Sequence, residues 1–207
     1  TMKNFRFACA IAAATCIVPQ LSYAVTITPI FADTYTGTDY GLGPIVSLDG
    51  NSNAQAAILA ATSQIGSLFS NDLSVNILYY GVNAGTNAFL GASTTGYNVY
   101  TYQDYVAALS ADAAANPQNT VLTTAVANLG SGNGANNPLA YVAPTTANAR
   151  ALGLSDASPG FDSTGAFVGG NGTADAIVFI NLDQPFSYSR PIPDFTTGVY
   201  YDAQSTM

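Results

Sequence analysis

Histidine, glutamate and tryptophan are absent from the 207-residue chain. The two cysteines, Cys9 and Cys16, lie close to the N-terminus, as does the single lysine, Lys3. From residue 25 onward the groups available for chemistry are aspartates, hydroxyls, amides, Arg150 and Arg190. This set excludes a zinc site built on imidazole or thiolate within residues 25–207, and with it any Ser-His, Cys-His or Ser-Lys mechanism. No disulfide can staple residues 25–207, so stability must come from a packed core, which 48% hydrophobic residues can supply. Positive charge is scarce as well: four basic residues face twelve acidic ones, all aspartate, for a formal charge of −8. Nucleic acid is excluded as a partner, and anionic membranes are disfavoured, because no basic patch can collect phosphates. Only 8% of residues are charged, so the surface must be built from Asn, Thr, Ser, Gln and Gly.

The N-terminal segment, residues 2–24, has a basic start (Lys3, Arg6), an apolar run from Phe7 to Val18, and small residues at Ser22 and Ala24. This is the pattern of a secretory signal peptide cleaved after Ala24, and it implies an extracellular protein. The run is too short for a permanent membrane anchor, and no membrane-spanning segment is expected after its removal. Residues 25–207 show no linker, repeat or heptad and read as a single α/β domain. Nothing at Met207 resembles a structural stop, so the domain is expected to be C-terminally incomplete.

Alternating apolar residues predict a strand from Val25 to Phe31, followed by a Gly/Thr/Asp-rich loop over 33–53. Asn53 is the expected cap of a long amphipathic helix with Ala54, Ala57, Ile58, Ala61, Ile65, Leu68 and Phe69 on its buried face. Leu73, Val75, Ile77 and Tyr79 predict a half-buried strand, which completes a β-α-β unit. After the glycine-bearing stretch 81–96, Tyr97–Tyr100 reads as a short strand. Thr101 with Asp104 forms a capping box for a second helix, and Asn116-Pro117 is expected to open a third, with Val121, Leu122, Ala125, Val126 and Leu129 inward and Gly130 as its stop. A short helix spans Thr146–Leu152 and is closed by Gly153. Ala176–Ile180, apolar on both faces, should be a central strand. Residues 183–195 are a proline-interrupted loop, and a helix is expected to begin at Asp202.

Three motifs invite a chemical reading. Phe161-Asp162-Ser163-Thr164-Gly165 is close to the Asp-Thr/Ser-Gly of aspartic proteases, but an extra residue breaks the spacing and no second copy follows, so Asp162 reads as a turn aspartate. Gly169-Gly170-Asn171-Gly172-Thr173-Ala174-Asp175 approximates one calcium-binding nonapeptide; its aspartate is one position late, and calcium ligation through oxygen stays open beside a plain turn. Asn171-Gly172-Thr173 is also an N-glycosylation pattern. The thirteen tyrosines suit a packed sheet better than a carbohydrate surface. No residue stands out as catalytic, cofactor-binding or metal-ligating.

The order strand, amphipathic helix, strand, then Thr146-Ala147-Asn148-Ala149-Arg150-Ala151-Leu152-Gly153-Leu154, the apolar strand Ala176–Leu182 and Tyr201-Asp202-Ala203-Gln204-Ser205, resembles a family of secreted bacterial zinc metalloproteases often associated with PEP-CTERM sorting signals. The resemblance implies a zincin-like α+β fold, a mixed twisted sheet packed on a long helix and cut before the active-site helix. It implies that the segment at Tyr201 continues into a His-Glu zinc motif, with Glu as general base. Zinc would then belong only to the complete parent, whose substrate would be a protein or peptide docked along a sheet edge. No catalytic residue of the family has a counterpart in this chain, which by itself would be inactive. The alternative expectations are a non-enzymatic exported structural or adhesive protein of the cell surface or matrix, and a degenerate protease kept as a binding module. Substrate and oligomeric state are left open.

Overall fold

A computed structural model describes residues 25–69, 72–129, 141–155, 157–188 and 201–202. The expected signal peptide, the loop 131–137, the stop at Gly130 and the proline-rich residues 189–195 lie outside that set. Among the described residues the chain is α+β. Its main sheet holds β1 (Thr26–Phe31), β3 (Ser74–Val82), β7 (Ala176–Asn181) and β4 (Gly91–Thr95) in that order, while β2 (Ile45–Val46) pairs with the far end of β3. β1, β3 and β7 run parallel; β2 and β4 are antiparallel to their neighbours. The β1-α1-β3 crossover is the predicted β-α-β unit.

Helix α1 (Ser52–Gly66) buries Ala54, Ala57, Ile58, Ala61 and Thr62, the one-face spacing that the sequence shows. Its cap is Asn51 rather than Asn53: the Asn51 side chain accepts the Ala54 amide, and two asparagines two residues apart cannot be ranked by pattern alone. Leu68 and Phe69 lie past the helix end, so with Ile65 they are exposed instead of continuing the buried face. Burying Ile58 contributes roughly 2 kcal/mol.

Strand parity divides the core. Leu78, Tyr80, Val82, Ile177 and Phe179 face one side, where Phe161, Ala174 and the 30–45 segment cover them; Tyr79 and Ile180 face the other, with Leu48, Ala54 and Ile58. β3 is thus buried from Leu78 to Val82, not half-buried, because the 30–45 segment, Phe161 and Ala174 cover one of its faces and Leu48, Ala54 and Ile58 the other. The loop covering the first side packs backbone on backbone. A Cβ at Gly172 would collide with the Phe161 carbonyl oxygen, and Gly165 adopts φ +82.

Peripheral elements depart further from expectation. The predicted strand 97–100 is reduced to a bridge at Tyr97 and the short β5 (Tyr100–Thr101), paired with β6 (Tyr141–Val142). α2 (Tyr102–Ala115) starts at the expected box: Thr101 Oγ accepts the Asp104 amide and donates to its carboxylate. α3 (Thr120–Leu129) begins at Asn119, whose side chain accepts the Leu122 amide, and not at Asn116-Pro117. None of its residues is fully buried, and Val121 is 79% exposed; among the described elements α3 packs chiefly against α2. α4 (Thr146–Ala151) ends before Gly153 at φ +66 as predicted. β8 (Phe186–Ser187) pairs in parallel with β9 (Tyr201–Asp202), so Asp202 closes a strand where a helix start is predicted; residues 203–207 lie outside the described set.

Candidate functional site

The main sheet has two outer edges, and they differ. On β1 the Thr26 amide donates to Leu73 O at 2.8 Å, so the alternate groups at Ile27, Pro29 and Phe31 point away from β3. Pro29 therefore removes the middle outward donor, a common guard against unwanted strand pairing. On β4 the ladder runs through Leu90 O, which accepts the Asn181 amide, and Gly96 N, which donates to Asp175 O. Parity then turns the backbone groups of Gly91, Ser93 and Thr95 outward. No proline and no charge guards this row.

Gly91, Ser93 and Thr95 lie opposite Ile180, Val178 and Ala176, on the face that carries α1. Here α1 packs chiefly on β1 and reaches Tyr79 of β3 and Ile180 of β7. Over β7 and β4 a cleft of about 380 Å³ stays open, lined by Leu90, Gly91, Ala92, Ser93, Val178, Phe179, Ile180 and Phe186. Phe186 walls one side, and its strand partner β9 brings Tyr201–Asp202 alongside. Among the described residues no strand pairs with the outer side of β4, so the site is a trough with apolar side chains along its walls beside an unpaired strand edge.

Buried amides hold the approach to β4. Asn181, fully buried at the end of β7, donates to Gly85 O and Phe89 O at 2.9 Å each, and its Oδ1 accepts the Asp183 amide. Gln184, 8% exposed, donates to Thr86 O and Ala88 O at 3.1 Å, with Phe89 O and Gly85 O at 3.4 and 3.5 Å. Asp183 accepts the Gly85 amide at 2.7 Å. The acceptors lie on a largely exposed loop, so each of these bonds contributes about 1 kcal/mol. Neither β4 nor these amides stand out in the sequence. The only signal is a polar residue ending the apolar run Ile177-Val178-Phe179-Ile180, while Gly-Ala-Ser-Thr-Thr has no large side chain to mark a strand.

The singled-out loop residues are structural. The Asp162 carboxylate accepts the Thr164 hydroxyl and amide at 2.8 Å and the Ala166 amide at 3.0 Å, bonds that hold it below the usual carboxylate range. It closes a turn, as expected. Burial works to raise the pKa of Asp175, but Arg150, the Thr146 hydroxyl, the Asn76 amide and the Arg150 charge outweigh it and keep the carboxylate ionised. Asp175 is therefore engaged in the ion pair with Arg150. Burial pushes the hydroxyls of Tyr79 and Tyr80 to about 12, so both stay protonated at neutral pH. Asn171, in the glycosylation pattern, adopts φ 60 in an exposed turn.

Among the described residues no three His, Cys, Asp or Glu side chains come together as a metal-holding group. No protein-family model matches the chain, nor does any curated protein or solved structure.

Proposed function

We propose that the chain is the N-terminal portion of a secreted zinc metalloprotease, that it supplies the edge on which an extended substrate segment docks, and that the metal ligands lie in chain beyond Met207. The observation that carries this reading is β4: an unguarded antiparallel edge strand beside an open apolar trough. An extended peptide added to β4 would exchange backbone hydrogen bonds with Gly91, Ser93 and Thr95, and alternate side chains would enter the trough against Val178, Ile180 and Phe186.

The residues present do not fit zinc. Imidazole and glutamate are missing, thiols occur only at Cys9 and Cys16, and Asp175 is held by Arg150. No catalytic step is therefore derived for this chain, whose part is to bind and align substrate.

Two measurements test the reading. A pentapeptide alternating Thr and Val should bind the full chain and slow amide exchange at Gly91, Ser93 and Thr95. The reading frame continued past Met207 should encode a His-Glu pair within about ten residues, followed by a third metal-binding side chain about one turn further on. A stop codon at that point, or a helix without the pair, overturns the protease assignment.

The same edge also favours a second reading, an exported structural protein whose copies join through β4. Paired antiparallel about Ser93, two copies would set Gly91 opposite Thr95 and Ser93 opposite Ser93, with no charge and no bulky side chain in the way. Concentration-dependent assembly in sedimentation, abolished by a charge at Ser93 and accompanied by no peptide binding, would establish that reading instead.

A further inference from the structure

We infer that Asn181 and Gln184 are the positioning residues of the docking edge: their buried side-chain amides set the 84–90 segment, and through it the seat of β4. The inference rests on the docking role proposed above but makes its own prediction about β4. Among the described residues the five-residue β4 pairs only with β7, and no strand lies on its outer side. Its N-terminal approach is irregular, with Gly85 at φ +86 and a turn in which the Ala88 amide reaches Gly85 O at 3.3 Å.

Backbone carbonyls in that approach turn inward, and the donors that meet them come from a turn almost a hundred residues away. Asn181 Nδ2 takes Gly85 O and Phe89 O, while Gln184 Nε2 sits among Gly85 O, Thr86 O, Ala88 O and Phe89 O. One amide nitrogen has two hydrogens, so Gln184 serves this group as a shared hub, a position that an ammonium would also fill. The turn that carries the clamp leads directly into Phe186, the wall of the trough. One short segment thus sets both the trough wall and the strand edge, and it ties the distance between them to these two amides.

The test compares Gln184→Met, which keeps the length and removes the donor, with Gln184→Lys, which returns donors to the carbonyls. In the full chain, Gln184→Met should weaken binding of the alternating Thr/Val pentapeptide by about tenfold and speed exchange of the Ala92 and Thr94 amides, while Gln184→Lys holds affinity within about threefold of the parent. Asn181→Leu should act like Gln184→Met and more strongly; if it does not fold, the Gln184 pair decides. A merely structural role would lower the unfolding temperature equally in Met and Lys variants with no selective change at Ala92 and Thr94. Unchanged exchange at those amides in Gln184→Met overturns the inference. If the parent chain binds no pentapeptide, the docking proposal falls, and exchange at Ala92 and Thr94 still decides the clamp.

Discussion

Asp175 shows how one residue decides whether a polar group in this core is chemical or structural. Its side chain is 4% exposed and receives Arg150, Thr146 and the Asn76 amide, while Arg150 also donates to Ser74 O at 2.8 Å. Helix α4 is thereby tied to the starts of β3 and β7. Asp175→Asn leaves the guanidinium unpaired and should destabilise the fold by about 3 kcal/mol, the low end for a broken buried pair because Arg150 is 21% exposed. Urea unfolding measures it. The pH dependence follows from the lowered pKa of Asp175 in the folded chain. Its contribution is complete above the unfolded carboxylate value of about 3.9 and is lost as pH falls through the lower folded value, because there the unfolded chain binds the extra proton. Stability should therefore fall in acid below about pH 4, and the Asn variant should lack that part of the slope.

At the scale of elements the two sheet edges form a natural contrast. Pro29 interrupts the outward row of β1, whereas β4 presents Gly91, Ser93 and Thr95 without interruption. Ser93→Pro imports the β1 solution. Proline at an outward edge position loses no ladder bond, so unfolding free energy should change by about 1 kcal/mol or less, while pentapeptide binding drops by about tenfold or more. Calorimetry and fluorescence titration read the two effects separately. Equal binding by the variant would show that peptides do not add to β4.

For the whole molecule, low charge and missing ligand types set the chemistry. With only aspartates as anionic donors in residues 25–207, the polypeptide ending at Met207 should hold no stoichiometric zinc after dialysis and cleave no peptide. Metal analysis by mass spectrometry is the check; one retained zinc per chain would mean that scattered aspartates converge in a way the described residues do not show. The protein's apolar surface is also unevenly covered. One side of the sheet is sealed by the 30–45 and 161–174 segments, whereas the other carries α1, chiefly on β1, and the trough over β7 and β4.

Much of the frame was legible because it depends on short-range periodicity. Ala54, Ala57, Ile58 and Ala61 recur at helical spacing, Thr101 and Asp104 form a local box, Gly153 stops a helix, and the uninterrupted apolar run from Ala176 to Ile180 marks a strand inside the sheet. The missing imidazole, glutamate and thiol chemistry was equally plain, since composition alone decides which reactions are available. Only the tertiary structure decided the rest. Gly91–Thr95 is a strand because β7 offers it a ladder, not because its own small residues favour one; α3, among the described elements, packs chiefly against α2 and stays largely exposed. Asn181 and Gln184 become a clamp because a turn at the end of β7 meets a loop almost a hundred residues earlier, and no local pattern encodes a contact made at that separation.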